Sequence, residues 1–208
     1  MIDKIDCRVI ILVIKEVTMK KIITDADGCL FDWENSFHQW MREKGHSRLD
    51  VDEYDMHMMY PDLGKREAKN QIKTFNESAW MCCLPTFKDA DYGISTLFDN
   101  SYRFTVITSL SDDPYAKKLR WMNLDNNFGS DAFDDLVCLE TGGDKDAALE
   151  PYRDSGLWWI EDLPKNCEVG LKLGLKPILI THEHNKDYYN PDIVRADSWR
   201  DICDIILE

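Results

Sequence analysis

The sequence predicts an α/β protein: a parallel sheet with helices on both faces and a small helical cap inserted after the first core strand. Three observations carry this. Short apolar runs alternate with segments of helical periodicity along most of the chain. Several of those runs end in residues that can do chemistry, beginning with Asp25-Ala26-Asp27-Gly28. The alternation breaks once, between residues 34 and 86, where helical spacing continues with no buried strand.

Taken in order, Met19-Lys20-Lys21-Ile22-Ile23-Thr24 leads straight into a buried strand, which leaves residues 1–18 as either an extra edge strand or a start-site extension. Within them, Val9-Ile10-Ile11-Leu12-Val13-Ile14 is too short to span a bilayer, which takes about 20 residues, and lacks a small-residue cleavage site. Strands are expected at 21–24, 104–108, 136–139, 157–160 and 177–180. Helices are expected at 89–100, at 115–126, at 165–173 with Gly174 as the stop, and at 198–207 with Ser198 as the cap. In the insertion, Trp33, Phe37, Trp40, Met41 and Lys44 share helical spacing, and Gly45, Pro61 and Gly64 punctuate short helices. The division is therefore a core of 19–33 and 87–208, with a cap of 34–86.

Hydrophobic residues at 44% and charged residues at 31% suit a soluble globular chain of 208 residues. A formal net charge of -14 opposes binding to extended nucleic acid. A small anionic substrate then needs a cation to reverse the potential locally, which favours a metal. Seven cysteines with no C-x-x-C pair fit free thiols in a reducing compartment, so a cytoplasmic location is expected, with neither a zinc site nor a membrane partner. Homodimer formation is left open.

In an open parallel sheet, ligands bind beyond the carboxyl ends of the strands. Four runs end there informatively: in Asp25-Ala26-Asp27-Gly28, in Thr108-Ser109, in a loop reaching Asp144-Lys145, and in Glu161-Asp162. Two carboxylates one residue apart can act as nucleophile and as proton donor or acceptor. Asp162 adds an oxygen ligand of the kind Mg2+ takes, Lys145 a fixed positive charge, and Thr108 a hydroxyl for phosphate oxygens. Singly, each has a plainer explanation: a calcium-type or turn element, a helix cap, a solvated lysine, a helix N-terminus. Their succession at strand ends argues for a site.

At these residues the sequence resembles the haloacid dehalogenase superfamily. Asp25-Ala26-Asp27-Gly28-Cys29-Leu30 looks like its first motif, Thr108 its second, Lys145 its third and Glu161-Asp162 its fourth. Within it, the chain is most similar to the 5′(3′)-deoxyribonucleotidases through Asp32-Trp33, Thr108-Ser109, Pro114-Tyr115-Ala116-Lys117-Lys118, Phe128-Gly129, Asp144-Lys145 and Asp197-Ser198-Trp199. The resemblance implies a Rossmann-like core and Mg2+-dependent phosphomonoester hydrolysis through an aspartyl-phosphate. Asp25 would be the nucleophile and Asp27 the acid/base. Asp25, the Asp27 carbonyl and Asp162 would hold Mg2+, with Glu161 acting through a water, while Thr108, Ser109 and Lys145 would bind phosphate. Trp33 and Phe75 would either stack on the base of a nucleoside monophosphate or serve only as cap core.

Three departures bear on substrate. Trp33 stands where a smaller aromatic is expected, Leu110-Ser111-Asp112-Asp113 lacks a basic residue, and Gly142-Gly143 precede Asp144-Lys145 where a basic residue often stands. A sugar phosphate or other small metabolite is thus a competing substrate, and a catalytically silent phospho-ligand or partner-binding module a competing class. His182 and His184 are assigned to a surface loop in preference to a metal site, and Cys82-Cys83 to the return from cap to core.

Overall fold

The computed structural model describes residues 19–51 and 55–208, so the alternatives for residues 1–18 lie outside the described residues. Among the described residues, six strands form one parallel sheet: β1 (Lys20–Thr24), β2 (Tyr102–Thr108), β3 (Phe133–Cys138), β4 (Trp158–Glu161), β5 (Lys176–Ile180) and β6 (Val194–Ala196), in the order β3-β2-β1-β4-β5-β6. Parallel strands need crossovers, and helices supply them. These are α4 (Ala90–Asp99), α5 (Pro114–Phe128), α6 (Asp146–Leu149) and α7 (Pro164–Lys172); a 3-10 turn at Glu183–Asn185 joins β5 to β6, and α8 (Trp199–Leu207) follows the last strand. Before them, α1 (Trp33–Glu43), α2 (Met56–Met59), α3 (Lys65–Asn76) and a 3-10 turn at Ala79–Cys82 make up the inserted segment.

The two-residue period of the strands sorts the core into two layers. Ile22, Phe104, Val106, Leu136, Ile160 and Ile178 face one way and pack with α4, α8 and the inserted helices. Ile23, Ile107 and Trp159 face the other way, with Leu149 and Leu173 beside them. Gly93 on α4 permits one close crossing, since a Cβ there would lie 2.7 Å from that of Trp199 on α8.

The strands expected from the sequence are present, with two differences. β3 starts at Phe133 rather than 136, because Asp134 and Asp135 interrupt its apolar run; on an edge strand those side chains face water. β6 was not expected, since three residues with Arg195 at the centre carry too little periodicity to read. It covers the far edge beside β5.

Two chain segments link the inserted helices to the sheet, and they run side by side. Phe31 bridges Thr86 in antiparallel fashion, Asp32 N donates to Pro85 O at 3.0 Å, and Phe87 N donates to Leu30 O at 2.8 Å. The order of the sheet sets the site: the chain leaves β1 toward β2 and β3, then returns to place β4 on the other side of β1. The crevice at this reversal, beyond β1 and β4, is where open α/β sheets bind ligands.

Candidate active site

β1 ends in Asp25 and β4 in Glu161-Asp162, and the backbone ties the two ends together, with Asp25 N donating to Ile160 O at 2.9 Å. The chain turns at once past Asp25. Gly28, at φ 75°, takes the left-handed conformation that other residues resist. A Cβ there would lie 2.9 Å from Asp162 Cγ, so glycine is also required for the approach of the two loops.

The centre of the site is a buried charge network. Lys145, at the start of α6, is 2% exposed and places Nζ 2.7 Å from Asp25 Oδ2 and 2.6 Å from Glu161 Oε1. Asp25 Oδ1 accepts from Ala26 N at 2.7 Å. Glu161 is fully buried and saturated: Oε1 also accepts from Asn166 Nδ2 at 2.6 Å, and Oε2 from Leu163 N at 2.7 Å. Carboxylate oxygens of Asp25, Glu161 and Asp162 come within 4.8 Å of one another.

One lysine therefore faces three carboxylates, and their protonation registers the imbalance. Burial, helped by Glu161 and Asp27 and opposed by Lys145, pushes the Asp25 carboxyl up to about 7. Burial, then the charges of Glu161 and Asp25, raises Asp162 well above the usual range. For Lys145 burial alone would favour the neutral amine, but Asp25 and Glu161 overcome it and hold the ammonium charged. A compact set of hard oxygen donors with excess negative charge is what a small divalent cation such as Mg2+ fits. Glu161 and Asp25 both have their carboxylate oxygens engaged within the protein, Glu161 by three partners and Asp25 by Ala26 N and Lys145 Nζ.

The other expected residues are arranged around this centre. Thr108 ends β2 and is 1% exposed. Ser109 Oγ donates to Gly143 O at 2.7 Å, so its hydroxyl hydrogen is spent on fastening the loop that brings in Lys145. Asp27 side-chain Oδ1 lies 2.5 Å from Arg120 Nη2.

Of the two alternatives for Phe75, a stacking face or cap core, the packing matches the second. Phe75 is 0% exposed, enclosed by Trp33, Phe37, Trp40 and Trp80 at ring separations of 5.5 to 6.1 Å, and has no free face for a ligand, because it lies on the α3 stripe turned toward α1. Trp33 is partly buried, stacks on Phe37 at 4.9 Å and donates Nε1–H to Asn76 Oδ1 at 2.9 Å. Asn76 Nδ2 in turn donates to Leu110 O at 2.8 Å, and Ser111 Oγ to Glu77 Oε1 at 2.7 Å, so the end of α3 is fastened to the loop after β2.

The histidines also differ from expectation. His182 Nε2 donates to Gly28 O at 2.8 Å, and His184 Nε2 is 3.3 Å from Asp162 O, their rings stacked 5.2 Å apart. They brace the loops of the site instead of lying on a free surface loop. Burial, more than any charge, lowers the pKa of His182 below the usual imidazole value. The other residue that sequence reasoning missed is Arg120; the available signal was a cation on the same helical stripe as Ala116, Leu119 and Asn123.

No family model matches the sequence, and no curated protein matches it. Solved structures do. A haloacid dehalogenase-like hydrolase from Streptococcus pneumoniae superposes with a TM-score of 0.62 at 15% identity, over 90% of this chain and 98% of that one. A predicted phosphatase from Clostridium acetobutylicum gives 0.59 at 18% identity, over 91% and 98%. An L-2-haloacid dehalogenase from Xanthobacter autotrophicus gives 0.57 at 10% identity, over 91% and 98%. Phosphatase and dehalogenase share this architecture, so fold alone leaves the chemistry open. With its parallel six-stranded sheet and its acidic residues at the β1 and β4 ends, the chain has the haloacid dehalogenase fold.

Proposed function

We propose that the protein hydrolyses phosphomonoesters with the help of Mg2+. The observation that carries this reading is the buried set of Asp25, Glu161 and Asp162 around the single ammonium of Lys145. Asp25 and Asp162 carboxylates and the Asp27 carbonyl would hold Mg2+, with Glu161 acting through a water; the ion supplies charge neutralisation and orientation of the phosphoryl group.

Asp25 Oδ attacks phosphorus, the bond from phosphorus to the ester oxygen breaks, and Asp27 gives its proton to the departing oxygen. Water then attacks the phosphorus of the aspartyl-phosphate, Asp27 takes a proton from it, and Asp25 is released as a carboxylate with inorganic phosphate. Splitting the displacement in this way lowers each barrier. Lys145, with Thr108 and the backbone around Ser109, meets the negative phosphoryl oxygens.

Nucleoside monophosphates are the substrate class to which the sequence resemblance leads, with Trp33 as the stacking face. A second reading, a sugar phosphate or similar small metabolite, is favoured by one observation: Phe75 and Phe37 are buried among the cap aromatics and Trp33 is stacked on Phe37.

The test is phosphate release from a panel of nucleoside monophosphates, sugar phosphates and an aryl phosphate, with and without Mg2+, beside Asp25→Asn. The expected result is Mg2+-dependent release that falls by roughly 10⁴-fold or more in the variant while its circular dichroism is unchanged. Undiminished turnover by Asp25→Asn removes the mechanism. Mg2+ binding without hydrolysis of any ester would instead make the protein a binding module.

A further inference from the structure

Arg120 is the charged residue that this mechanism does not yet use. It lies on the buried stripe of α5 and its side chain is 0% exposed. Nη2 donates to Asp27 Oδ1 at 2.5 Å and approaches Met81 Sδ at 3.4 Å, and the guanidinium carbon lies 4.9 Å from the centre of the Phe31 ring. Nε and Nη1, also buried, have no hydrogen-bond partner among the described residues. Asp27 is the one carboxylate paired with this cation among the described residues.

A guanidinium stays charged in any protein environment, and a buried one is costly unless paired. With two donors unmet, Arg120 gains little from packing alone, and its placement is explained by what it holds. It touches both ends of the tight loop after the nucleophile, where Gly28 N donates to Phe31 O at 3.0 Å: Asp27 at one end, Phe31 at the other. The Asp27 side chain nevertheless stays 23% exposed, so one carboxylate oxygen is fixed while the group remains open to the crevice.

We propose that Arg120 is a positioning residue: by holding Oδ1 it aims the other oxygen of Asp27 at the leaving-group oxygen. This rests on the assignment of Asp27 as the acid/base. The consequence is a dependence on leaving group. An alkyl oxygen needs a proton as it departs, whereas 4-nitrophenolate departs without one, and kcat/KM reports the step in which that departure occurs.

The experiment compares kcat/KM for an alkyl phosphate and for 4-nitrophenyl phosphate, with Mg2+, in the wild type, Arg120→Met, Arg120→Lys, Asp27→Asn and the double variant Asp27→Asn/Arg120→Met. Arg120→Met is expected to lose roughly a hundredfold on the alkyl ester and under about threefold on the aryl ester. Arg120→Lys, which keeps a cation in the same place and is the safer variant for folding, should recover part of that ratio. In the Asp27→Asn background, Arg120→Met should leave the ratio where it stands. Equal losses on both esters by Arg120→Met and Arg120→Lys, or a further change of ratio in the double variant, overturn the role of Arg120 alone. Absence of turnover by the wild type on every ester overturns the proposed function, and the positioning role with it.

Discussion

The floor of the candidate site and the helical segment between β1 and α4, the cap, each have a buried centre, and the two are held by opposite kinds of force. The floor is ionic: Lys145, Asp25 and Glu161 meet at 2.6 to 2.7 Å at the carboxyl ends of parallel strands and the loops beyond them. The cap is aromatic: Trp33, Phe37, Trp40, Tyr60 and Phe75 pack ring against ring, with Phe37 touching all four others. The difference teaches where each kind of specificity can reside. Buried charges without balance cost several kcal/mol per ion unless they are paired, take up a proton or meet a cation. Buried aromatics are satisfied by one another and owe nothing to a ligand.

The sharpest way to break this contrast is to remove the ammonium. Lys145→Met leaves Asp25 and Glu161 without their cation, so activity should fall on the order of 10²–10³-fold, with a stability loss of about 3–5 kcal/mol by urea titration. Retained activity would mean that the floor does not rely on Lys145 to meet the phosphoryl charge.

On the cap side the balance should reverse. Phe75→Ala should cost about 3–5 kcal/mol of stability, while the ratio of activities on a nucleotide and on a minimal aryl phosphate stays constant among folded molecules. A selective loss on the nucleotide would show that Phe75 gains a free face when ligand binds. Trp33→Ala gives the same comparison for the partly exposed ring.

The third expected effect is smaller and concerns protons. Asp25 is raised from 3.8 to about 7 by burial, aided by Glu161 and Asp27 against Lys145, so between those values the folded protein binds more protons than the unfolded chain. Stability of the metal-free protein should therefore fall as pH rises from about 4 to 7, by no more than a few kcal/mol from this group. Asp25→Asn should flatten that part of the profile, and added Mg2+ should restore stability at the upper end, both read by thermal melts. A wild-type profile that matches Asp25→Asn throughout would remove the protonation imbalance assigned to the floor.

Much of the floor was legible because it depends on short-range pattern. Asp25 and Glu161-Asp162 directly follow or end apolar runs, and a run of that kind reads as a buried strand with its carboxyl end open to ligand. Arg120 was not legible in the same way. A lone arginine in a helix of mixed composition reads as solvated, and only the packing of α5 against the 3-10 turn at Ala79–Cys82 removes it from water. Asn76, which ties Trp33 to Leu110, was hidden for a similar reason: its partners are 43 and 34 residues away in the chain.

By itself, then, the sequence determined the alternation of strands and helices, the helical stretch that interrupts it after β1, and the order in which acidic and basic residues reach the strand ends, since these follow from local periodicity and punctuation. Tertiary structure alone decided that Lys145 pairs with both Asp25 and Glu161, that Arg120 reaches Asp27, that His182 and His184 brace the loops of Gly28 and Asp162, and that Phe75 is enclosed. Those are contacts between distant segments, set by sheet order and helix packing, and no local pattern encodes them.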